Sequence, residues 1–155
     1  MWHQANQAYP ACSWIHVQYI IYLPIQYPAY FISLGTFSFY MLRIYKKYES
    51  KLDCLYCWYN YLERAFNNRI FLAATFNCGC QVITLNYVDH SNVLFSFCAI
   101  FSCGSYNSVH DGHVILFGLV LVIQFSPDST ILISSGTLHH SNVSIHLNET
   151  CQSYT

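Results

Sequence analysis

Between residues 42 and 66 the apolar side chains return every three, four or seven positions, at Leu42, Tyr45, Leu52, Leu55, Tyr59, Leu62 and Phe66, with charged residues set between them. That spacing lines them along one stripe of a helix and leaves the charges on the opposite face. It predicts a basic amphipathic helix around 41–67, closed by Asn67-Asn68. After residue 70 the rhythm changes. Short β-prone runs at 71–76, 81–88, 93–101, 114–125, 130–135 and 143–147 are broken by turn-forming clusters at 77–79, 102–107, 126–129 and 134–137, a pattern expected of antiparallel strands. The chain is thus expected to be mainly β with one α-helical segment around 41–67. Its segments are an uncharged aromatic and apolar stretch at 1–42, the basic helix at 43–69, and a β-rich region at 70–155.

The stretch from Val114 to Ile123 is uniformly apolar, without the period of either helix or half-buried strand. A bilayer-crossing helix needs about 20 apolar residues, and extending this run to Leu132 takes in Pro127 and Asp128. A buried strand is the better expectation. Ser126-Pro127-Asp128-Ser129 then makes a turn, because Pro presets the φ of the second turn residue and Asp suits the third.

These residues, with Gly112-His113 before them, Ile131 and Ile133 alternating with Leu132, and the closing segment Ser141 to Glu149, resemble one blade of a WD-repeat β-propeller. Asn148 stands where that family has Trp. A looser echo runs from Asp89-His90-Ser91-Asn92-Val93 to Val109. The resemblance implies incomplete propeller-blade-like antiparallel strands at 112–149, with a second, decayed blade at 89–109, and a role in binding other proteins. A propeller closes with about four or more blades of roughly 40 residues, more than 155 residues supply here. Repeat units bury their apolar faces against neighbours, so one or two blades alone expose strand edges that call for a protein partner.

Composition opens two further readings. Only 8% of residues are charged, while 54% are hydrophobic and 18% aromatic, against about 25% charged in ordinary soluble domains. All six basic residues lie between Arg43 and Arg69, flanked by apolar stretches. A small integral membrane protein spanning at 13–42 and 114–132, with the basic segment as its cytoplasmic loop, accounts for that distribution, although Pro24 and Pro28 interrupt the first span. The location is membrane in this reading and cytoplasm in the WD-repeat reading. The third reading is a frame-shifted or unselected reading frame: residues whose codons end in a pyrimidine (Tyr, Phe, His, Asn, Cys and Asp) outnumber Lys, Glu, Gln, Met and Trp by 55 to 18. With a net charge of −1 there is no global field to draw in nucleic acid, and none is expected as a partner.

Candidate chemistry is sparse. Cys54 and Cys57, followed by Cys78 and Cys80, approximate a four-thiolate zinc set with a shortened second pair; an unusual cysteine content makes such pairs by accident, and no metal is assigned. His110 and His113 form a close pair better read as turn histidines. No phosphate-binding glycine loop, nucleophile elbow or convincing carboxylate pair is present; Glu63, Asp89, Asp111 and Asp128 fit solvated or turn positions. No catalytic, cofactor or metal residue is assigned, and the chain is read as non-enzymatic. The sequons at Asn142 and Asn148 are attributed to chance.

Overall fold

The computed structural model describes residues 34–62, 70–71 and 73–155. Within them the chain forms two helical segments and seven strands in two antiparallel sheets. The first helical segment, α1, covers 34–40 and runs into α2 (Leu42–Trp58) across Met41, whose N–H donates to the Phe37 carbonyl and whose own carbonyl accepts from Ile44 and Tyr45. The basic amphipathic helix therefore forms, but it stops at Trp58 rather than near 67. Tyr59 leaves helical geometry at φ −121° and ψ 73°, and Asn60 and Tyr61 turn; asparagine and tyrosine hold a helix less well than the Lys, Leu and Glu before them. The proposed stop at Asn67-Asn68 lies outside the described residues, as do Glu63, Arg64 and Arg69.

The core stripe of α2 is also rotated from the expected one. Leu52 is buried, and Ile44, Tyr45, Tyr48, Leu55 and Tyr56 pack beside it, while Leu42, Tyr59 and Leu62 are exposed. Phe37 of α1 is fully buried at their centre, with ring contacts to Tyr45, Tyr48, Phe71 and Phe97. Burial of one such ring contributes about 2–3 kcal/mol.

Sheet A takes the order β1 (Phe76–Asn77), β7 (Thr150–Tyr154), β2 (Cys98–Ser105), β5 (Thr130–Ile133); sheet B takes the order β4 (Leu121–Ile123), β3 (Val114–Leu116), β6 (His140–Asn142). Successive residues of a strand face opposite ways, so sheet A is apolar on both sides. Ala99, Phe101 and Leu132 look toward the helices, whereas Ile100, Ile131 and Ile133 join Val114, Leu116 and Phe125 in a core shared with sheet B. Sheet A is thus the middle layer.

The antiparallel β expectation holds, but the strands of the blade-like segment do not follow one another in a single sheet. β3, β4 and β6 belong to sheet B and β5 to sheet A, so the turn at 126–129 joins strands of different sheets. That turn itself forms: Ser129 N–H donates to the Ser126 carbonyl and Asp128 sits at φ 60°, a left-handed position that Asp tolerates. The apolar run 114–125 is a hairpin, not one buried strand. It folds back through a 3₁₀ turn (Phe117–Leu119), and half of it stays exposed. Val143 to Leu147 is a loop rather than a strand.

Among the described residues no helix is long and apolar enough to cross a membrane. The 114–132 span is strand and turn, and most of 13–42 lies outside the described residues.

A polar clasp ties the layers together. Buried Tyr106, at the end of β2, donates its hydroxyl hydrogen to the Phe125 carbonyl at 2.7 Å and lies 2.8 Å from the Ser102 hydroxyl. The Tyr106 ring packs on Gly112, where an added Cβ would run into it.

Candidate functional site

Two surfaces stand out once the layers are assembled: an open strand edge on sheet B and a cleft on the helix side of sheet A.

The edge begins with β4. Among the described residues it pairs only with β3, through Val114 opposite Ile123, Ile115 opposite Val122 and Leu116 opposite Leu121. At the other side of sheet B the edge is covered: Tyr87 and His140 exchange backbone hydrogen bonds, and the Asn142 side chain accepts from Thr84 N–H and donates to the Val82 carbonyl. β4 and the turn before it are uncharged from Phe117 to Phe125, and they present Phe117, Leu119, Val120, Leu121 and Val122 to solvent, Val120 at 91% exposure. Val120 is also left-handed, at φ 53° and ψ 41°, a conformation unfavourable for a β-branched residue. No lysine, proline or inward charge blunts the edge, devices that usually prevent strands from pairing with other chains.

The cleft, about 540 Å³ in volume, opens between α2 and the outer face of sheet A. Register builds its floor. Phe101 of β2 lies opposite both Thr130 of β5 and Tyr154 of β7, and the Phe101 and Tyr154 rings are 4.7 Å apart. Lys47 and Lys51 line the cleft from α2, one helical turn apart and so on one face. The Lys47 ammonium lies 4.4 Å from the centre of the Phe95 ring. No acidic side chain is among the described residues that line it.

Two polar atoms of its lining residues, buried away from the open space, are unsatisfied. The Thr130 Oγ1 and the Tyr154 hydroxyl are buried with no hydrogen-bond partner among the described residues, at a typical cost of about 1–3 kcal/mol each. Burial, reinforced by Cys103 and Asp128, pushes the Tyr154 hydroxyl up to about 12, so at neutral pH it keeps its proton and can donate. Cys98 also borders the cleft; burial first and Asp89 second push its thiol up to about 11 against an opposing hydrogen bond with Ser135. It is a thiol at neutral pH, and a poor nucleophile.

The sequence candidates for metal do not converge. Cys54 and Cys57 are exposed on α2, while Cys78 and Cys80 are exposed in the loop after β1. Among the described residues no three His, Cys, Asp or Glu side chains form a group that could hold a metal ion. His110 sits in a turn, its N–H donating to the Asn107 carbonyl, and Asp111 pairs with His146 at 3.5 Å. Asp89 accepts from the Asn92 side chain. Lys47 and Lys51 were legible as helix charges, but Thr130 and Tyr154 carried no sequence signal, because only the pairing of distant strands brings them beside Phe101.

The chain matches no family model, no curated protein and no solved structure.

Proposed function

We propose that the chain is a non-enzymatic protein-interaction module that associates by strand addition at β4, with a second copy of itself as the partner. The uncharged, exposed β4 edge, unpaired among the described residues, carries this reading. Strand addition takes affinity from backbone hydrogen bonds and specificity from alternate side chains. Two copies of β4 running antiparallel about Val122 would make a closed two-fold contact, joining two three-stranded sheets into one of six and covering the ridge from Phe117 to Val122. No charge within 117–125 opposes like strands meeting. The resemblance to a WD-repeat blade supports an interaction role independently, since isolated blades need a covering partner, but the strand order departs from a blade's consecutive meander and the proposal therefore rests on the β4 edge.

Sedimentation velocity of the full chain over a concentration series tests it. Monomer–dimer exchange is expected in the wild type and its loss in Val122→Lys, while Leu147→Lys, at an exposed site away from this edge, retains it. A wild type that stays monomeric throughout, or a Val122→Lys variant that dimerises as well as the wild type, would overturn it.

A further inference from the structure

We infer that the flank of α2 carrying Arg43, Lys47 and Lys51, together with the turn at Leu94-Phe95, docks the chain on the surface of an anionic lipid bilayer. This face lies on the helix side of sheet A, with sheet B on the other side, so it is separate from the β4 edge and does not depend on it.

At 3.6 residues per turn, Arg43, Lys47, Lys51 and Trp58 fall within an arc of about 80° on α2. All four are exposed, Trp58 at 80%. The acidic residues of the helix, Glu49 and Asp53, fall outside that arc, toward the opposite flank. The result is a basic row about 12 Å long from Arg43 to Lys51, at about 1.5 Å per residue. Beside it stands a tight turn, closed by the Ser96 N–H donating to the Val93 carbonyl, with Leu94 and Phe95 at its tip. The Lys47 ammonium over the Phe95 ring and the bond from Phe97 N–H to the Tyr48 hydroxyl hold this turn against the row. From behind, the Ser134 hydroxyl donates to the Leu94 carbonyl and the Asn92 side chain to the Ser135 hydroxyl. Asp89, earlier in the same loop, is half-buried and accepts from Asn92.

Turn tips favour Gly, Pro, Asn, Asp and Ser, yet this one holds two large apolar side chains, Leu94 at 67% and Phe95 at 60% exposure. A turn that projects apolar groups next to a row of cations meets both needs of interfacial attachment. The apolar groups enter the headgroup and acyl boundary, and the cations meet anionic headgroups. The exposed Trp58 indole suits the same depth. An acidic protein would answer the cations but would also have to supply a pocket for the projecting tip; a bilayer takes the tip in without one.

Co-sedimentation of the full chain with vesicles tests this, comparing pure phosphatidylcholine with equal parts of phosphatidylcholine and phosphatidylserine. Binding is expected to the mixed vesicles and much less to the pure ones. Lys47→Gln should weaken it about fivefold and Arg43→Gln/Lys47→Gln/Lys51→Gln about a hundredfold. Lys46→Gln, outside the arc, should weaken it by less than about twofold at physiological salt. Leu94→Ser/Phe95→Ser should weaken it about tenfold in a chain that melts like the wild type, since both side chains are exposed.

Equal binding to both kinds of vesicle, a triple variant that binds like the wild type, or a Lys46→Gln loss equal to that of Lys47→Gln overturns the inference. So does vesicle binding that Leu94→Ser/Phe95→Ser leaves unchanged and polyglutamate displaces, which would assign the row to an acidic protein. Absence of binding to the mixed vesicles overturns it outright; crosslinks from a photoreactive group at position 95 to residues 1–33, or to a second copy, would then name the occupant of this face.

Discussion

Replacing Tyr106 with Phe removes one oxygen atom and should cost about 2 kcal/mol. In the native structure that hydroxyl donates to the Phe125 carbonyl at 2.7 Å and lies 2.8 Å from the Ser102 hydroxyl, and all three residues are buried. The carbonyl can only accept, so Tyr106 is the donor to it and Ser102 the donor to Tyr106. The variant keeps the ring packed on Gly112, hence no cavity term arises. What remains is a buried carbonyl without its partner, worth about 1–3 kcal/mol. Ser102 keeps a long contact of 3.9 Å to the Cys151 sulfur and adds less. For a chain of this size about 2 kcal/mol corresponds to a fall in Tm of about 4–8 °C. Urea unfolding of wild type, Tyr106→Phe, Ser102→Ala and the double variant would measure it, with a coupling between the two residues of about 1 kcal/mol expected from their shared bond. A cost below about 0.5 kcal/mol for Tyr106→Phe, or strict additivity, would refute the clasp as the tie between Phe125 and β2.

Three further expectations concern strain, pH and close approach. Val120 is left-handed and 91% exposed in the single chain, so Val120→Asn relieves strain without losing burial in the monomer and should stabilise it by about 1 kcal/mol, read as a higher urea midpoint at a concentration where the chain is monomeric; a lower midpoint would contradict the assigned backbone. The Cys98 thiol, ordinarily near 9, is pushed up to about 11 in the folded chain. Between those values the unfolded thiol has released its proton and the folded one has not, so stability should fall as pH rises through this window, by up to about 2 kcal/mol. Tyr154 acts in the same direction between its ordinary 10 and about 12; unfolding midpoints that do not change from pH 9 to 11 would exclude this linkage. At Gly104, φ is 126° and an added Cβ would strike the Thr150 carbonyl; Gly104→Ala should therefore cost more than about 3 kcal/mol, and a variant melting like the wild type would contradict the β2–β7 register.

What the sequence made legible was local. The 3.6-residue rhythm found α2, and Ser126-Pro127-Asp128-Ser129 found its turn, because both depend on residues a few positions apart. The alternation of Ile131 and Ile133 against Leu132 foretold the two faces of β5. The rest depends on pairing across long stretches of chain. Thr150–Tyr154 is mostly polar and carried no strand signal, yet it becomes an inner strand because β2 and β1 bond to it on either side. Val114 to Ile123 read as one strand because a uniformly apolar run has no period to mark its reversal at Phe117–Val120. Val143 to Leu147 alternates like a strand but joins no sheet among the described residues, and only Ile145 of them is buried. The cleft was illegible for the same reason: Thr130, Phe101 and Tyr154 become neighbours only through sheet register.

Amide hydrogen exchange at Val122, whose N–H lies on the open side of β4 while those of Leu121 and Ile123 point to β3, tests strand addition most directly when followed as a function of protein concentration. Protection at residue 122 is expected to rise as the chain associates and to be absent in Val122→Lys, while protection at Leu121, Ile123 and in β2 stays nearly constant. Exchange at residue 122 that is independent of concentration, or association that protects a different edge, would contradict it.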